Sequence, residues 1–133
     1  MNYLLDTNIC IYIIKQKPQL VLHRFANISP LNIGVSTITV AELEYGVQKS
    51  LYPQKNKAAL QKFLSPLNIY DFDINATILY GKLRAKLEST GTTIGSLDML
   101  IAAHALSLNN TLVTNNEKEF NRIDKLLIEN WAI

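Results

Sequence analysis

The stretch YLLDTNICIYII, residues 3–14, sets Asp6 and Asn8 inside a run that is otherwise almost all apolar or β-branched. An apolar run that stops at a polar residue and gives way to a longer apolar-rich segment has the form of a strand followed by a helix. Residues 2–5 read as the strand, and Ile9–Lys15 as a helix ending before Pro18, which can itself open a second helix through about Asn27. The same alternation runs on along the chain. NIGVS at 32–36 is strand-like, and TITVAELEYGVQKS at 37–50 and PQKNKAALQKFL at 53–64 continue as helices. NIYDF at 68–72 is a third short strand, followed by a helix from about Asn75 to Ser89 that closes on Gly91. SLDMLIAAHALSL, 96–108, has apolar residues at 97, 100, 101, 105 and 108 and small ones in most other places, the pattern of a central helix. TLVT at 111–114 reads as a buried strand, and LLIENW at 126–131 as a last edge strand. Short strands alternating with longer helices predict an α/β fold on a parallel sheet.

A chain of 133 residues with 48% apolar and 18% charged content has the size and core of a single domain, read here as residues 1–133. The net charge of +2 is too mild to mark a nucleic-acid binder by composition, and it does not exclude one. Cys10 is the only cysteine, so no internal disulfide forms. The start MNYLLDTN has no cationic segment leading into a signal-length hydrophobic run, and the longest apolar run, Ile9–Ile14, is far short of a bilayer span. These features lead us to expect a reducing cytoplasm. Low-complexity tracts, linkers and internal repeats are missing, so nothing divides the chain.

In an open parallel sheet, ligands gather at the carboxyl ends of the strands. Asp6 directly follows YLL, and Asn115 and Asn116 directly follow LVT. Glu42 falls early in the helix after the second strand, and Asp98 in the first turn of the central helix, so Asp6, Glu42 and Asp98 can point to one edge. Each acid also has a plainer reading. Thr39 with Glu42 and Asn116 with Glu119 fit capping boxes, Ser96 fits an N-cap whose helix dipole favours Asp98, and Asp6 fits a cap for the first helix. Taken together the acids resist that reading, because a carboxylate cluster without cations is costly unless a divalent ion neutralises it.

The segments LLDTNICIYII, STITVAELEYG, IGSLDMLIAAHALS and LVTNNEKEF resemble, in order, the four motif regions of PIN-domain ribonucleases, specifically the VapC toxins of VapBC type II toxin-antitoxin pairs. The likeness runs from residue 3 to about residue 131. It implies a three-layer α/β/α fold around the parallel sheet and a Mg²⁺- or Mn²⁺-dependent endoribonuclease with Asp6, Glu42 and Asp98 as its catalytic, metal-ligating acids. Many PIN domains carry a fourth aspartate where this chain has Asn116, in Thr114-Asn115-Asn116. Glu119, about one helical turn on, can supply the missing charge, or Asn116 can ligate or place a water through its neutral oxygen. Thr7, Asn8 and Thr114 are candidates to steady the acids or a metal-bound water by hydrogen bonds. Hard oxygen ligands suit Mg²⁺ or Mn²⁺, which lower the pKa of a bound water to yield the attacking hydroxide, and the products then carry 5′-phosphate and 3′-hydroxyl ends. The resemblance also implies a homodimer and a VapB antitoxin whose tail wraps the toxin and places a basic residue among the acids, with Leu51 and Tyr52 as apolar positions for its groove. It implies a transfer RNA substrate, the anticodon region of initiator tRNA foremost.

Lys15, Lys17, Lys49, Lys55, Lys57, Lys82, Arg84 and Lys86 are candidates to meet RNA phosphates, and Tyr45, Tyr52 and Tyr80 to stack on bases, against the ordinary reading of solvated lysines and packing aromatics. His104, six positions after Asp98, is rotated away from it and reads as a hydrogen-bonded core histidine, and His23 as a surface residue. Neither pairs with Cys10 at a zinc or thiol-nucleophile spacing. Two other function classes stay open: phosphoryl transfer through a covalent Asp6, which usually needs an aspartate where Asn8 stands, and a silent PIN-like module that binds RNA or protein.

Overall fold

The computed structural model describes all of residues 1–133. Five strands, β1 (Tyr3–Leu5), β2 (Ile33–Ser36), β3 (Asn68–Tyr70), β4 (Thr111–Val113) and β5 (Ile128–Glu129), form one sheet in the order β3-β2-β1-β4-β5. Every pairing is parallel. Seven helices connect them: α1 (Thr7–Ile14), α2 (Gln19–Ala26), α3 (Thr37–Gln48), α4 (Pro53–Leu64), α5 (Ile74–Ser89), α6 (Ser96–Leu108) and α7 (Glu117–Phe120).

Strand alternation sends neighbouring side chains to opposite faces, and the two faces build two cores. Leu5, Val35 and Val113 point into one, with Ile9, Ile13, Val21, Leu43 and Leu60 of α1 to α4 and Trp131. Leu4 and Leu112 point into the other, with Leu87, Ile101, Ala102 and Phe120 of α5 to α7. This gives three layers, α/β/α. No helix is long and apolar enough to cross a membrane.

The expected elements are present with shifted ends. Helix α1 begins at Thr7 rather than Ile9, and Pro18 stands at the N-cap of α2 rather than inside it. A 3-10 turn at Pro30–Asn32 and the four-residue α7 are too short to show a period in sequence. The apolar face drawn through residues 97 to 108 is corrected: Leu97 is exposed, whereas Met99 and the run Ile101–Ala105 are buried. Helix α6 lies between the sheet and α5, so small residues let nearly its whole girth be covered. Gly34 in β2 is needed because a β-carbon there would stand 2.2 Å from the Tyr70 ring. Gly91, at φ +67°, lets α5 end in a Schellman turn, Thr92 N–H donating to Leu87 O at 2.9 Å.

The chain moves from β1 out to β2 and β3 on one side and to β4 and β5 on the other. The crevice at the carboxyl ends of β1 and β4 is therefore the topological switch point, the place where open α/β sheets bind ligands. Asp6 and Thr114 are the residues that leave those two strands.

Candidate active site

Asp6 is the N-cap of α1, its Oδ1 accepting from Ile9 N–H at 2.9 Å, so the capping reading of this residue holds. It is also only 5% exposed, and its own N–H donates to Val113 O of β4 at 3.0 Å. Burial pushes its carboxyl up to about 6; hydrogen bonds from Thr114 and Ile9 N–H pull it down, and the charges of Asp98 and Glu42 push it up again. No lysine or arginine charge acts on Asp6 to offset them.

The cap of α3 is Ser36, whose Oγ accepts from Ile38 N–H at 3.0 Å. The proposed Thr39–Glu42 capping box is thereby corrected, since Thr39 is the third residue of α3 and its buried hydroxyl has no partner. Glu42 lies about one and a half turns in, where no orphan amide needs it. Its Oε1 accepts instead from the Thr7 hydroxyl at 2.7 Å.

Asp98 is the third residue of α6, half-buried. Gly95 rather than Ser96 occupies the N-cap position, so the serine cap is corrected, while the first-turn location of Asp98 stands. Burial, then the charges of Glu119 and Glu42, raise the carboxyl of Asp98. Asn116 stands at the N-cap position of α7 but its side chain makes no capping bond, which corrects the Asn116–Glu119 box. Its backbone N–H donates to the Thr114 hydroxyl at 2.9 Å.

Asp6, Glu42 and Asp98 thus come from α1, α3 and α6 to within electrostatic reach of one another, and Glu119 joins them through Asp98. As they stand, no three His, Cys, Asp or Glu side chains draw tightly enough together to hold one ion. In charge and donor type the set fits Mg²⁺ or Mn²⁺: all hard oxygens, mutually repelling, with one carboxyl held well above its usual range by burial. A divalent cation bound among these carboxylates would remove that penalty.

Thr7, Asn8, Ile38, Glu42, Tyr45 and Lys49 line an open cleft of about 660 Å³. A second groove of about 360 Å³, walled by Ile14, Leu43, Val47 and Leu60 with Lys15 at its edge, shares Glu42 with the first. Tyr45 is 66% exposed and Lys49 sits 5.0 Å over its ring. Other cations are engaged elsewhere: Lys57 with Glu44, Lys86 with Asp124 at 2.7 Å, and Arg84 with Tyr80 and Glu88. Tyr52 is exposed and Tyr80 packs against the α5–α6 core. His104 is buried with Nδ1 2.8 Å from Ser36 Oγ, and His23 is exposed, as expected. The part of Ser36 in this contact was not legible in sequence, because its partner lies 68 positions away.

Comparison with known proteins adds to this geometry. The family model of the PIN domain matches residues 3–126. The chain is 48% identical to Ribonuclease VapC2 of Rickettsia felis over 98% of both chains. It is 44% identical to the tRNA(fMet)-specific endonuclease VapC of Salmonella typhimurium over 99% of both. Among solved structures, VapBC2 of Rickettsia felis bound to a DNA fragment from its promoter superposes with a TM-score of 0.92 at 48% identity, covering 98% of this chain and 99% of that one.

Proposed function

The chain belongs to the PIN-domain family, in its VapC branch, and on that premise we propose that it is a divalent-metal-dependent endoribonuclease, the toxin of a toxin-antitoxin pair, which hydrolyses phosphodiester bonds of a transfer RNA. One observation carries this reading: at the switch point a buried carboxylate, Asp6, is coupled to Asp98 and Glu42 with no basic side chain beside it. Such an arrangement is unfavourable in the bare protein and suited to a cation.

In this reading Asp6, Glu42 and Asp98 hold Mg²⁺ or Mn²⁺, with Glu119 as a further acid behind Asp98. The ion, when bound, supplies an activated water and neutralises charge that builds on the phosphate. Ile9 N–H fixes the plane of the Asp6 carboxylate, and the Thr114 side chain, just past the end of β4, favours its ionised form. Thr7 turns the Glu42 carboxylate and limits its rotation. Lys15 and Lys49, at the edges of the two grooves that meet at Glu42, are placed to meet substrate phosphates.

The substrate follows from the Salmonella relative, whose name gives tRNA(fMet). The partner follows from the Rickettsia structure, a VapBC complex. A VapB-type tail has an apolar seat in the groove of Leu43, Val47 and Leu60, beside exposed Leu51 and Tyr52, and a basic residue on it meets the acids. A homodimer working in the cytoplasm, where transfer RNA is found, completes the proposal.

The test is incubation of the purified chain with initiator and elongator tRNAs, with Mn²⁺ or Mg²⁺ and with excess EDTA, followed by mapping of the cut ends. The expected result is metal-dependent cleavage of initiator tRNA leaving 5′-phosphates. Cleavage that persists in EDTA, or 2′,3′-cyclic phosphate ends, overturns the metal-assisted mechanism. Binding without cleavage of any RNA points to the silent module.

A further inference from the structure

His104 lies in α6, fewer than two turns after Asp98, and is fully buried. Its Nδ1 is 2.8 Å from the Ser36 hydroxyl, which is equally buried. Ser36 is both the last residue of β2 and the cap of α3. The Phe72 ring stands edge-on to the imidazole at 5.3 Å between centroids, and Phe72 N–H donates to Thr37 Oγ1 at 3.2 Å. The imidazole is thus keyed to the β2–α3 junction directly and to the segment between β3 and α5 through Phe72.

A pair of apolar residues of the same shape would fill this space at least as favourably, because a buried polar pair gains little net stability over one. What a hydroxyl–imidazole bond adds is direction and length. Helix α3 carries Glu42, helix α6 carries Asp98, and the Ser36–His104 bond ties the start of the first to the middle of the second.

We propose that His104 is a positioning residue for the nuclease site: through the Ser36 hydroxyl it sets where α3 begins relative to α6, and so keeps Glu42 in register with Asp98. The inference rests on the reading of the acids given above. Burial lowers the imidazole pKa below its ordinary 6.5, against smaller opposing pulls from Asp73 and Asp71, so the ring is neutral at pH 7 and the bond needs no titration. Either neutral tautomer makes it, since the hydroxyl donates or accepts. Nε2 has no hydrogen bond of normal geometry, although the Asp71 backbone lies close enough to the ring to pull its pKa upward, so the Ser36 contact is the ring's one well-formed hydrogen bond.

The test compares wild type with His104→Phe, His104→Asn and Ser36→Ala, with Asp98→Asn as a control. Phe fills the ring's space without the bond, and Asn returns a polar atom near the place of Nδ1. Three quantities are read: the melting temperature, kcat and KM on one RNA well below melting, and the Mn²⁺ concentration that gives half of the Mn²⁺-induced rise in melting temperature. His104→Phe is expected to lower kcat about 10- to 100-fold with KM within about 3-fold, as small misplacements of catalytic groups do. The Mn²⁺ requirement rises about 5-fold or more, and His104→Asn recovers most of both losses. Ser36→Ala, which loses the α3 cap as well as the bond, gives losses at least as large and keeps the test valid if His104→Phe alone folds badly, and the double variant is no worse than the poorer single one. A lower melting temperature with wild-type kcat and Mn²⁺ response reduces His104 to a packing residue and overturns the proposal, as do additive losses in the double variant. Asp98→Asn separates the failures: an inactive Asp98→Asn beside a fully active His104→Phe sinks this inference alone, whereas an active Asp98→Asn sinks the reading of the acids and this inference with it.

Discussion

The Thr7 hydroxyl donates a 2.7 Å hydrogen bond to Glu42 Oε1, joining the first residue of α1 to the sixth residue of α3 across 35 positions. A glutamate has three side-chain torsions to fix, and this bond settles its outermost group without neutralising it. Thr7→Val keeps the shape and removes the donor. It is expected to cut turnover about 10-fold while costing roughly 0.5–1.5 kcal/mol of stability, and Thr7→Ser to restore turnover. Steady-state cleavage and urea denaturation measure the two effects. Wild-type turnover in Thr7→Val shows that Glu42 needs no such restraint.

After burial, the charge of Glu119 does most to raise the Asp98 pKa, whereas Asn116 bonds through its backbone N–H to the Thr114 hydroxyl. This favours Glu119 over Asn116 as the replacement for the missing fourth acid. Glu119→Gln is expected to raise the Mn²⁺ concentration needed for half-maximal cleavage about 10-fold, and Asn116→Ala to change it less than about 2-fold. Stability barely responds, less than about 0.5 kcal/mol, because Asp98 is only half-buried and solvent screens the pair. The reverse ranking in a Mn²⁺ titration assigns the role to Asn116.

How far the sequence revealed this arrangement differs from residue to residue. Asp6 was legible because an apolar strand of a few residues ending in an acid leaves little doubt about where the acid stands. The β-α alternation was legible for the same reason, since strand and helix periods differ and turn residues separate them. Cap positions were not. Ser36, Thr37 and Thr39 all have side chains able to cap α3, and local pattern favours Thr39 because Glu42 follows it by three. Pairing of Ser36 with Tyr70 carries β2 to Ser36 and starts the helix there, a tertiary fact invisible to a local reading. The face of α6 failed likewise, because a helix covered on nearly all sides has no polar stripe to set its phase.

Trp131 lies beyond the residues matched to the family model, yet it is fully buried. Its ring meets Tyr3 edge-on at 5.5 Å, lies 5.7 Å below the Arg24 guanidinium, and its Nε1–H donates to Glu129 Oε1 at 3.1 Å. The end of the chain therefore closes the core under β1. Trp131→Ala is expected to cost about 3–5 kcal/mol, and Trp131→Phe less, in urea denaturation followed by circular dichroism. A loss under about 1 kcal/mol for the alanine variant shows that this packing is dispensable.

Asp6 gives the sharpest contrast between stability and activity. Its carboxyl pKa is about 6 in the folded chain against 3.8 as a free group, with burial the first cause. Folding therefore favours the protonated form. The stability this contributes is fully present below about pH 4 and is lost as pH rises through about 6, so at pH 7 the ionised group opposes folding by roughly 3 kcal/mol at most, from about 1.4 kcal/mol per unit. Asn in its place keeps an oxygen to accept from Ile9 N–H and carries no charge to bury. In the presence of EDTA, Asp6→Asn is expected to be more stable than wild type at pH 7 by about 1–3 kcal/mol, with the gap closing toward pH 4. Cleavage with Mn²⁺ is expected to fall at least about 100-fold, because a neutral amide holds the cation poorly. Added Mn²⁺ narrows the stability gap by stabilising wild type alone, through binding to the folded state only. Denaturation curves at pH 4 and pH 7, with EDTA and with Mn²⁺, test the whole set. A residue that merely capped α1 would give the opposite result, an Asn variant no more stable than wild type at either pH and fully active.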